Sequence, residues 1–143
     1  MKTNRWIVTL FILSVAAFAA VPSTADDVSG AGKLLCSSVE ATVCDVNGDC
    51  EMGPPWTWNI PQFIEVDLSR KMLSTTPASG ENRSTPILNI VREQGVLFLQ
   101  GVEGGRAFSF VIHESTGAVS AAVARDGITV SVFGACTPIA SKG

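Results

Sequence analysis

"RAFSFVIHESTGAVSAAVARDGITVSVFGAC", residues Arg106 to Cys136, is three apolar runs separated by two turn signals, Glu-Ser-Thr-Gly and Asp-Gly. Glycine accepts the positive φ that hairpin turns require, so each signal predicts that the chain doubles back on itself. The alanines of the middle run, Ala118 to Arg125, have helical propensity. Glycines on both sides, with Val119 and Val123 inside, favour a strand instead.

The same grammar extends upstream. "FIEVDL" alternates Ile64, Val66 and Leu68 with Glu65 and Asp67, the pattern of a half-buried strand with a solvated outer face. "SRK" turns it into "MLSTT", and "PASGENRSTP" reads as a polar loop. "ILNIVRE", a Gln-Gly turn, "VLFLQGV" and then "EGG" lead into the opening stretch. With "LLCSSVEATVC" near the start, the count is about eight strands and no convincing helix. The fold class expected is all-β: one small antiparallel meander. Such a meander has two exposed edges unless it curls, so a closed or strongly curled barrel is favoured, with a two-sheet sandwich as the alternative.

The chain begins with Lys2 and Arg5, then "WIVTLFILSVAAFAAV", then "PSTADD" with small Ser23 and Ala25. This is the layout of a secretory signal peptide cleaved after Ala25. The domain plan is therefore residues 1–25 as signal peptide, 26–33 as a flexible lead and 34–143 as a single β domain. Of the 143 residues, 118 remain after cleavage, enough for one domain with its own core. Lys2 and Arg5 leave with the signal, so 8 basic residues face 13 acidic ones and the net charge falls from −3 to −5. A phosphate-neutralising face is missing, which excludes nucleic acid as a partner. The apolar run is short for a full span, and once it is cleaved off no stable membrane insertion is expected.

The four cysteines, Cys36, Cys44, Cys50 and Cys136, all lie in the mature part. In an exported chain an even number predicts two disulfides, with three possible pairings. If the first and last strands pair, they run antiparallel, and the start of one meets the end of the other. That geometry selects Cys36–Cys136, leaving Cys44–Cys50 to close the loop "DVNGD". The loop imitates the opening of a calcium site in Asp45, Asn47 and Asp49. Counted from Asp45, however, the sixth position is Cys50 rather than glycine and the twelfth is Trp56 rather than glutamate. Zinc is disfavoured too, because close cysteine pairs and a nearby histidine are missing. No metal and no cofactor are expected.

Two features invite a functional reading. Pro54 and Pro55 predict an extended segment in which Trp56 and Trp58, two apart, face the same way. Exposed, they would form a recognition surface; turned inward, they would plug the open end of the barrel. His113 is the single histidine and stands beside Glu114, but neighbours on a strand point to opposite faces. No Gly-x-Ser-x-Gly elbow is present. No catalytic residue is assigned.

The cysteine-bearing first strand, the C-x5-C loop, "PQFIEVDLSRKML", "LQGVEGGRAFSFVIHESTGAVS" and the terminal "FGACTP" together resemble a family of small uncharacterised exported proteins of proteobacteria. The resemblance covers most of the mature chain and implies a periplasmic or secreted location and a β fold. It carries over no catalytic residues. Size, disulfides and meander are more loosely similar to periplasmic lysozyme-inhibitor barrels of the MliC kind, a likeness of architecture alone. The expectation is an exported, non-enzymatic β-domain. Its partner would be an envelope or extracellular protein, or a small apolar ligand. The alternative is a hydrolase or isomerase using His113 with a nearby carboxylate.

Overall fold

The computed structural model describes residues 26–80 and 82–140, and every run read as a strand from the sequence forms one. Ten strands are present: β1 (Lys33–Asp45), β2 (Cys50–Gly53), β3 (Phe63–Asp67), β4 (Met72–Thr75), β5 (Ser84–Pro86), β6 (Asn89–Glu93), β7 (Val96–Glu103), β8 (Arg106–His113), β9 (Ala118–Arg125) and β10 (Ile128–Pro138). The two beyond the expected eight are β2 and β5, only four and three residues long. Short 3-10 helices cover Pro55–Trp58 and Pro77–Ser79.

The strands make one antiparallel sheet in the order β5-β4-β3-β1-β10-β9-β8-β7-β6, with β2 paired to the far half of β1. It is a single, strongly curled half-barrel sheet rather than a sandwich. First and last strands pair as expected, with Cys36 directly opposite Cys136 and the two joined by a disulfide. Cys44 and Cys50 are likewise opposed on β1 and β2 and bridged. The ends of the sheet, however, fall in the middle of the chain. β5 and β6 are separated only by Ile87 and Leu88, whose amides reach opposite borders: Ile87 N–H donates to Lys71 O (2.8 Å) and Leu88 N–H to Gln100 O (2.9 Å). The curled sheet is therefore spanned at its seam by the chain itself.

Curling needs close backbone approach at particular points. β1 carries a bulge between Ser38 and Glu40, opposite Gly134 on β10. A Cβ on Gly134 would lie 1.9 Å from the Ser37 carbonyl oxygen, so only glycine lets the two strands pass this closely. Beyond the bulge, β1 exchanges partners on one edge, from β3 (residues 33–37) to β2 (residues 41–44). The chain between β2 and β3 crosses one end of the curled sheet.

Alternate residues point into the curl, and the other end is packed solid. Leu34, Leu97, Leu99 and Ile112 are each at most 1% exposed and meet Val66, Val119 and the Cys36–Cys136 bridge. Residues 26–33, expected as a flexible lead outside the domain, are instead fastened to it. Val28 is 2% exposed in the core, its N–H donates to Glu114 O (2.7 Å), and Thr137 Oγ1 donates to Asp26 Oδ2. A valine side chain buried among leucines outweighs the freedom of so short a segment.

The signal-peptide reading falls on residues 1–25, outside the described residues. Among those described, no helix is long and apolar enough to cross a membrane. Two disulfides are compatible with export, since thiols stay reduced in most cytosols.

Candidate functional site

The end of the curl opposite the solid core is open and forms a cavity of about 380 Å³. Its walls come from the inward-facing rows of adjacent strands: Phe108 and Phe110 from β8, Ala121 and Val123 from β9, Val130 and Val132 from β10, with Ile64 and Leu73 across from them. The rows are continuations of the core rows. On β8, Ile112 is fully buried, Phe110 is 8% exposed, and Phe108 is half-buried towards the opening. The walls are thus apolar because the same two-residue period that builds the core runs on past it.

Two small residues shape the space. Ala121 faces inward opposite Phe110, while the neighbouring alanines Ala118, Ala122 and Ala124 are exposed on the outer face. Gly101 sits opposite Phe108 on β7. A Cβ there would lie 2.3 Å from the Phe108 ring and 2.9 Å from Pro86 O, so the ring lies flat over the glycine. Phe108 then meets Phe110 edge to face, with ring centroids 5.9 Å apart.

The segment crossing the opening holds the tryptophans. It is a 3-10 helix, Pro55–Trp58, not the extended segment expected from its prolines. Proline at the first position suits a helical turn as well as an extended one, because the missing N–H would be unpaired anyway. With three residues per turn, positions two apart diverge, so the tryptophans do not face the same way. Trp58 lines the cavity and packs on Gly53, where a Cβ would lie 3.4 Å from its ring. Trp56 is 60% exposed and faces away, which overturns the plugging alternative for that residue.

Charged side chains ring the opening. Arg83, Arg106, Arg125 and Glu103 all line it. Glu103 is held from two sides: Thr85, itself 8% exposed, donates its hydroxyl to Glu103 Oε1 (2.6 Å), and Arg106 Nη2 lies 3.7 Å from Oε2.

The other sequence candidates lie elsewhere. His113 is exposed at the far end of β8, and Glu114 turns inward beside the core. Arg92 Nε lies 2.7 Å from Glu114 Oε1, out of line for a directed hydrogen bond, so the contact is an ion pair. His113 and Glu114 are not brought together with the cavity. In the loop closed by Cys44–Cys50, Asp45 accepts from the amides of Asn47 (2.8 Å) and Asp49 (3.2 Å). These bonds, led by the Asn47 amide, hold its carboxyl below the ordinary value of 3.8. The acidic loop thus satisfies its own carboxylate, as an Asx turn does. Among the described residues no group of three or more histidine, cysteine or acidic side chains is placed to hold a metal ion.

Sequence reasoning did not single out the arginines or the Phe108–Val123 wall. The signal was present in "RAFSF" and "AVSAAVAR", where an arginine occupies the same two-residue row as the apolar positions. Comparison of the chain with protein-family models, with curated proteins and with solved structures gives no match.

Proposed function

We propose that this protein is an exported, non-enzymatic binding domain of the periplasm or extracellular space that takes a small apolar ligand into its curled sheet. The observation that carries the reading is the cavity of about 380 Å³ walled by Phe108, Phe110, Val123, Val130 and Val132. That size is within the roughly 300–1,000 Å³ usual for small-ligand sites, and apolar walls with few polar groups are their usual lining. The solid opposite end supports it further, because the open end is a continuation of the inner face and not a packing defect. A place in the exported proteobacterial family is part of the same proposal and rests on the motifs quoted above.

Binding of the apolar dye Nile red tests it, read by dye emission and by energy transfer from Trp58. Saturable binding at one site is expected, together with its loss in Val123→Trp, which fills the cavity from a half-buried wall position. An unchanged denaturation midpoint in that variant shows that the fold is retained. Unsaturable binding, or binding that survives Val123→Trp, sinks the reading.

A protein partner is the second reading, favoured by the exposed Trp56. It requires that Trp56→Ala abolish partner capture while leaving dye binding intact.

A further inference from the structure

The rim carries information about the ligand that the apolar walls do not. β8 and β9 pair with Phe108 opposite Val123 and Ala107 opposite Ala124. One step further along the same hairpin stand Arg106 and Arg125, both on the inner row and both lining the opening. Like charges facing one another across neighbouring strands are destabilising. Glu103, 3.7 Å from Arg106 and oriented by the Thr85 hydroxyl, offsets one of the two charges. Arg125 has no carboxylate within salt-bridge reach among the described residues. The chain carries 13 acidic residues against 10 basic ones, yet on this hairpin Arg106 and Arg125 face the opening with Glu103 as the one glutamate beside them. A local excess of positive charge is thus set at the lip of an apolar cavity in an acidic protein.

We infer that the ligand is a single-chain anionic amphiphile, its hydrocarbon chain in the cavity and its carboxylate-type headgroup between Arg106 and Arg125. The inference rests on the cavity reading above and deepens it. Each row runs from charge to hydrocarbon: Arg106, Phe108, Phe110, Ile112 on β8, and Arg125, Val123 on β9. An anion without a chain would relieve the arginines and leave the apolar walls in water. A chain without an anion would fill the walls and leave two guanidinium groups opposed. Guanidinium forks suit a carboxylate, and a charged hydrogen bond at the edge of an apolar site is stronger than one in open water.

Three probes with one chain length and different heads test it: laurate, dodecanol and dodecyltrimethylammonium, each below its aggregation limit, followed by calorimetry and Trp58 fluorescence. Laurate is expected to bind about tenfold tighter than dodecanol, with the cation weakest, and added salt should narrow the gap. Arg125→Ala should remove most of the laurate advantage and leave dodecanol unchanged, while Arg125→Lys retains part of it. Anionic lipid vesicles distinguish the source: binding vesicles in preference to monomeric laurate overturns the single-chain proposal. Equal affinity for laurate and dodecanol overturns the headgroup and leaves the apolar cavity standing. If no probe binds and Nile red does not either, the cavity reading fails with it.

Discussion

Gly101 and Phe108 are one decision made by two residues. The glycine gives up a side chain on an inward strand position, and the phenylalanine opposite covers the gap with its ring. A side chain at 101 would drive into both that ring and the backbone oxygen of Pro86, and the backbone cannot yield as a side chain can. Gly101→Val is therefore expected to destabilise the protein by about 1–3 kcal/mol, the usual cost of forcing volume into a packed interior. A denaturant midpoint measures it. The variant should also weaken dye binding, because the displaced ring moves into the cavity. Phe108→Ala combined with Gly101→Val should recover only part of the stability, since the clash with the ring is then removed while that with Pro86 O remains.

At the scale of elements, the two disulfides have unequal tasks. Cys36–Cys136 ties β1 to β10 with a sequence separation of 100, and both sulfurs are buried. Cys44–Cys50 closes a hairpin with a separation of 6 on the exposed loop side. The chain-entropy model gives about 4–5 kcal/mol for the first and about 2 kcal/mol for the second. Replacing both cysteines of a pair with alanine should reproduce that order in chemical denaturation, and mild reductant should open Cys44–Cys50 first. The long strands and both pairings were legible in the sequence because alternation and turn glycines are local signals, and an antiparallel meander brings its first and last strands together. β2 and β5 were not legible. A run such as Ser84–Pro86 has no alternation of its own and becomes a strand only because Leu73 and its neighbours present a ladder to it. The helical turn at Pro55–Trp58 was hidden for a related reason, since proline is compatible with both forms. The site was half legible: the apolar rows of β8 to β10 could be read, but not that Arg106 and Arg125 would meet over an opening, which depends on where the sheet stops being filled.

For the whole molecule, the sheet is a curled half-barrel with its edges in unexpected places. The first and last strands, β1 and β10, lie side by side within the sheet, and its two edge strands, β5 and β6, are neighbours mid-chain. Asp26 and Thr137, near the two ends of the described chain, are hydrogen-bonded to each other. Charge is uneven as well, with Arg83, Arg106 and Arg125 at the opening and Arg92 paired with Glu114 beside the core. The buried Cys36–Cys136 bridge then has a mechanical consequence. A pulling force applied between the two ends passes through the sulfur–sulfur bond, and everything between the bridged positions is bypassed. In a single-molecule stretching trace the oxidised protein should yield only its short tails. After reduction the separation of 100 residues becomes available, and the trace should lengthen by about 340 Å. While the bridge is intact, the cavity's lining residues, all of which lie between Cys36 and Cys136, stay unloaded under tension.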